Sequence, residues 1–129
     1  MEFNLKNLNP AARFFFDDGN KKEWVEIRVC PADVLEDINN KTSKEKVEYK
    51  KGNRFVTQQK DSKKWRLLFW DYVIADWGGV TSDGQKLECN AENKATLMGG
   101  SIQFSTFVSD KLEVLTDDNL KHTEAAEKN

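Results

Sequence analysis

Lys64–Met98, KWRLLFWDYVIADWGGVTSDGQKLECNAENKATLM, is the stretch whose reading decides the fold. It holds Trp65, Trp70 and Trp77, three of the four tryptophans, together with the densest apolar run and the clearest turn and capping signals. The length and helix-forming residues of Trp65–Trp77 predict a helix. On it, Trp65, Leu68, Phe69, Tyr72 and Val73 make one apolar stripe at i, i+3, i+4, i+7 and i+8. Leu67, Trp70, Ile74 and Trp77 make a second on a different face. A helix apolar on most of its circumference is either enclosed by its own domain or turned toward a partner as well. Enclosure is hard in a small domain, where much of the molecule is surface. Enclosure in the core is the leading reading even so; where the helix also meets a partner protein or a second copy of the chain, the second stripe, Leu67, Trp70, Ile74 and Trp77, is the candidate contact surface.

Downstream, Gly78-Gly79 reads as the helix stop, with Gly78 at C′. Ser82-Asp83-Gly84-Gln85 reads as a turn, and Lys86–Cys89 as a short extended piece. Asn90 is a good N-cap for a helix over Ala91–Met98, closed by Gly99-Gly100. Ser101 can cap a third helix carrying Phe104, Phe107, Val108, Leu112 and Leu115 at helical spacing. From Thr116 the chain is charged and poorly apolar, which suggests a frayed helix or a flexible tail.

Upstream, Arg13–Phe16 and Lys21–Cys30 flank Asp17-Asp18-Gly19-Asn20, a hairpin signal because Gly and Asn tolerate positive φ. Val25, Ile27 and Val29 alternate with Trp24, Glu26 and Arg28, as a half-buried strand requires. Pro31 suits the first turn of a helix over Ala32–Ile38, which Asn39-Asn40 should end. Within the polar Lys41–Lys64 segment, Val47–Tyr49 and Phe55–Thr57 read as a second hairpin around Lys50–Arg54, with a mobile loop as the alternative. The fold class is α+β. An N-terminal antiparallel hairpin or small sheet precedes a three-helix C-terminal half, in one domain over 1–115 with a charged tail over 116–129.

Composition narrows the function. The 129 residues are 38% hydrophobic and 33% charged, with eight Phe, four Trp and two Tyr to build a core. A net charge of −2 gives no global attraction to nucleic acid or an anionic membrane. The N-terminus lacks the basic and apolar regions of a signal peptide, and no run nears the roughly 18 apolar residues of a membrane span. Nothing favours a disulfide between Cys30 and Cys89 over the simpler reading of two buried free thiols, so a cytoplasmic, soluble protein is expected.

The chemistry-bearing residues do not converge. Cys30, Cys89 and His122 lack the pairing and number of a zinc site. A lone histidine leaves no nucleophile–base pair, and Asp17/Asp18 and Asp117/Asp118 read as solvated turn or tail residues. In Asp76–Glu88, Gly78 and Val80 fall where a calcium loop needs oxygen ligands. No glycine pair has a phosphate-loop context. No enzyme, metal or cofactor is expected. The one further candidate lies between Lys41 and Arg66, where lysines and arginines interleave with Tyr49, Phe55 and Trp65. A solvated basic face is the leading reading, and nucleic-acid contact the other.

Asp71-Tyr-Val-Ile-Ala-Asp76-Trp77-Gly-Gly-Val80, then Asp83-Gly84, then Leu87-Glu-Cys-Asn-Ala-Glu92-Asn93-Lys94-Ala-Thr-Leu97, resembles the tail assembly chaperones of long-tailed bacteriophages and their prophage relatives. The resemblance covers roughly residues 65–110. It implies a non-enzymatic role: holding the long, helical, apolar tape-measure protein soluble until tail-tube subunits polymerise around it. The motif residues would fix a corner between elements and carry no chemistry.

Overall fold

The computed structural model describes the backbone of residues 1–127, with side-chain surroundings through Asp117. Strand β1, Ala12–Asp17, pairs antiparallel with β2, Asn20–Ile27. The hairpin is as the sequence predicts, but its turn is made differently. Neither Gly19 nor Asn20 takes a left-handed φ. Instead the Gly19 amide donates to Asp17 Oδ1 at 3.0 Å, and a register shift between Phe15 and Asp17 absorbs the extra residue. Phe16, at that shift, packs its ring 4.5 Å from Phe107.

Along β2 the alternation resolves as the pattern requires. Val25 and Ile27 are fully buried. On the opposite face Trp24 lies under the Arg13 guanidinium at 3.7 Å, and Arg13 pairs with Glu26 at 2.8 Å.

Helix α1 spans Ala32–Thr42, one turn beyond the expected stop at Asn39-Asn40. Asn39 is occupied as a partner, not a breaker: Trp65 Nε1 donates to its side-chain oxygen at 2.7 Å. Thr42, buried at the helix end, donates its hydroxyl to the Ile38 carbonyl at 2.8 Å. The chain passes directly into β3, Ser43–Lys50, which returns as β4, Asn53–Lys60. Their connection is Lys51-Gly52 with φ of 54° and 80°, the paired left-handed turn whose twist matches the strands. The second hairpin is thus ordered, and the mobile-loop alternative falls.

Helix α2 starts where Asp61 accepts from the Lys64 amide at 3.1 Å, and it covers Ser62–Val73. Here the structure corrects the sequence reading. Residues Ile74–Gly78 are not helical but form strand β5, on the far side of β2 from β1. Arg28 explains the change. Its amide donates to Val73 O at 2.9 Å, and its Nε donates to Tyr72 O at 2.6 Å. Its guanidinium also lies 3.9 Å from the Tyr72 ring centre. Carbonyls that a helix end leaves unpaired are thus taken by the residue directly after β2, and the chain continues as that strand's partner.

Gly78 is accordingly not a helix C′ residue. It sits opposite Trp24, and a Cβ there would lie 2.5 Å from the indole. Gly79 carries the left-handed φ of 71°, passing against the Lys22 backbone. A small ladder, β6 (Thr81–Ser82) with β7 (Gln85–Lys86), turns through Asp83-Gly84, again a left-handed pair.

Asn90 caps α3, Ala91–Gly100, by accepting from the Asn93 amide at 2.8 Å. Gly99-Gly100 form its last turn and do not end it. Ser101 Oγ accepts from the Phe104 amide at 3.1 Å and starts α4, Ile102–Glu127. The backbone beyond Thr116 is helical to Glu127. Met98, Phe104 and Val108 close over Ile74 and Trp77, whose ring meets Phe104 edge-on at 5.8 Å. The result is an α+β fold, with a three-stranded sheet carrying α3 and α4 on its buried face.

The Trp24–Gly78 contact makes a sharp expectation. Gly78→Ala should destabilise the protein by about 1–3 kcal/mol, as overpacking does. In Trp24→Ala the same substitution should cost far less. A urea-melt double-mutant cycle checks this, and additive effects would show that the indole is not the obstacle.

Candidate partner-binding surface

The four residues of the second stripe part company. Ile74 and Trp77 lie on β5 and are 0% and 5% exposed, so they belong to the core and cannot meet a partner. Trp77 Nε1 also donates to the Leu87 carbonyl at 2.9 Å, so even its polar edge is spent internally. Spacing misleads because residues three or four apart share a helical face, whereas here the chain changes period between Val73 and Ile74.

Leu67 and Trp70 remain on α2 and do lie together. They line an open groove of about 360 Å³ between α2 and α3. Ala95, Thr96 and Gly99 of α3 form its other wall, and Lys63 and Arg66 of α2 stand in its lining. Leu67 is 38% exposed, whereas Trp70 is half-buried with part of its ring packed on the core.

The two helices are held at this separation by Lys94. Lys94 is 7% exposed, and its ammonium donates to both the carbonyl and the carboxylate of Asp71, each at 3.0 Å. Burying a lysine requires such pairing, which makes the α2–α3 spacing specific. Lys94, Ala95 and Thr96 lie within the motif that carries the family resemblance, but nothing in the sequence marked them as one wall of a groove, and Gly99-Gly100 reads equally well as a helix stop. A Cβ at either glycine would meet nothing within 4 Å, and neither has a left-handed φ. The fold itself therefore does not need glycine there.

The basic stretch is placed elsewhere. Lys44, Lys46, Lys50, Lys51, Arg54 and Lys60 are on the β3–β4 hairpin, whose residues are exposed except for half-buried Glu48. Lys63 and Arg66 are on α2, and Trp65 stacks on Phe69 at 5.0 Å.

Cys30 and Cys89 are free and half-buried. Burial raises the pKa of both thiols, opposed by the positive charge of Arg28 at Cys30 and of Lys94 at Cys89. No group of three or more His, Cys, Asp or Glu among the described residues could hold a metal ion, and none of their helices is long and apolar enough to cross a membrane. Comparison with family models, curated proteins and solved structures gives no match.

A thiol whose folded pKa is raised stabilises the fold below the unfolded pKa and loses that contribution as pH rises through the folded one. As pH rises above the ordinary thiol range of about 8.5, stability should therefore fall more steeply in the wild type than in Cys30→Ser/Cys89→Ser. Parallel urea-midpoint profiles for the two proteins would contradict this.

Proposed function

We propose that this protein is a non-enzymatic tail assembly chaperone of a long-tailed phage or prophage, holding an apolar helical segment of the tape-measure protein. The observation that carries the reading is the α2–α3 groove: exposed Leu67 and half-buried Trp70 face an α3 wall whose Gly99 has no internal reason to be glycine. Helix-in-groove recognition lays apolar anchors into such a cleft, and a residue without a side chain lets the incoming backbone approach closely. Lys63 and Arg66 would favour a helix with acidic residues beside its apolar stripe. The resemblance over residues 71–97 points to the same work. The motif residues Asp71 and Lys94 form the ion pair that spaces the groove walls.

The test is co-expression with the tape-measure protein of the same phage, scored for its solubility. Leu67→Ser is expected to leave the fold intact and reduce the solubilised fraction severalfold. Gly99→Ala separates stability from binding. It should stabilise the free protein by up to about 1 kcal/mol, because glycine is costly within a helix, and yet weaken solubilisation. A wild-type protein that leaves the tape-measure protein insoluble would overturn the proposal.

A further inference from the structure

We propose that the β3–β4 hairpin is a separate binding arm for double-stranded nucleic acid, contacting the phosphates on both walls of a groove. Charge is segregated in this chain. Residues 43–60 hold Lys44, Lys46, Lys50, Lys51, Arg54 and Lys60 against Glu45 and Glu48, a net +4, in a chain whose total is −2. The rest of the molecule is thus −6. The near-neutral total conceals a basic element on an acidic body.

The arm is two strands of eight residues in unbroken register, and Val47, Tyr49, Phe55 and Val56 are 40–73% exposed. A free two-stranded ribbon of this kind is marginal in water without something to rest on. Its register puts Lys44, Lys46 and Lys50 on one face, Arg54 and Lys60 on the other, and Lys51 at the tip. Single-strand binders stack successive bases on one aromatic platform. Here Tyr49 and Phe55 stand on opposite faces, so no such platform exists. Cations on both faces suit a ribbon flanked by phosphates, and a major groove about 12 Å wide admits a two-stranded ribbon. Glu48 pairs with Lys46 at 2.9 Å and Lys50 at 3.6 Å, exposed contacts that phosphate can readily replace.

The experiment is fluorescence anisotropy of the full chain with a labelled duplex of about two helical turns at 50 and 200 mM salt. With four net phosphate contacts, affinity should fall about 150-fold across that range. Lys50→Gln/Lys51→Asn/Arg54→Gln, which lowers the arm to +1, should bind far more weakly, and its residual binding should fall only about fourfold. Asn is used at position 51 because it tolerates the left-handed φ. Lys44→Gln/Lys46→Gln, away from the turn, should also weaken binding, which guards against loss of the hairpin in the first variant. Leu67→Ser, in the groove, should bind duplex like wild type. The proposal is overturned by no binding at 50 mM salt, by arm variants that bind like wild type, or by equal-length single strands or polyglutamate competing as well as duplex.

Discussion

Arg28 holds the point at which the chain changes from helix to strand, and most of the structure depends on it. Directly after β2, it occupies the Val73 carbonyl through its amide and the Tyr72 carbonyl and ring through its guanidinium. With those carbonyls taken, α2 has no reason to add another turn. The next five residues complete the sheet against β2. Trp77 then lands opposite Val25, beneath Phe104, and its indole closes on the Leu87 carbonyl. The glycine pair that follows clears Trp24 on one side and the Lys22 backbone on the other. Helices α3 and α4 pack on the side this arrangement leaves apolar.

What was legible in the sequence was local. Asn90 and Ser101 were readable as caps because a cap is a contact between residues three apart. The hairpin turns are likewise local, since Gly52, Asp83 and Gly84 tolerate left-handed backbone, and Lys51 is carried into it beside Gly52. The end of α2 was not readable, because its cause lies 44 residues upstream. Trp70, Ile74 and Trp77 keep helical spacing by coincidence, and periodicity has no means of marking a change of period inside an apolar run. Asn39 failed as a stop for a similar reason: its side chain is engaged by Trp65 from another helix. Half of the candidate surface, Leu67 and Trp70, was visible as excess apolarity on α2. The opposing wall of α3 was hidden behind glycines that a helix end explains equally well.

The molecule divides into two parts of different charge. The acidic body encloses its core and leaves a groove between α2 and α3, spaced by the buried Lys94–Asp71 pair. The basic arm leaves the body between α1 and α2. Its base is pinned where the Asp61 amide donates to the Thr42 carbonyl at 2.7 Å. Two surfaces of different chemistry, one apolar and concave, the other charged and projecting, are thus carried by α2 and by the hairpin immediately before it.

Trp77 belongs to the core, whereas Trp70 lines the α2–α3 groove. Hydrogen exchange of the tryptophan indole N–H groups, followed by NMR in the free protein and after adding a tape-measure fragment, tests it most directly. The account requires the Trp77 indole to be strongly protected and unchanged by the fragment. The Trp70 resonance should exchange faster and shift on binding. A rapidly exchanging Trp77, or a fragment that shifts Trp77 and leaves Trp70 untouched, would mean that residues 74–77 do not form the strand on which the structure depends.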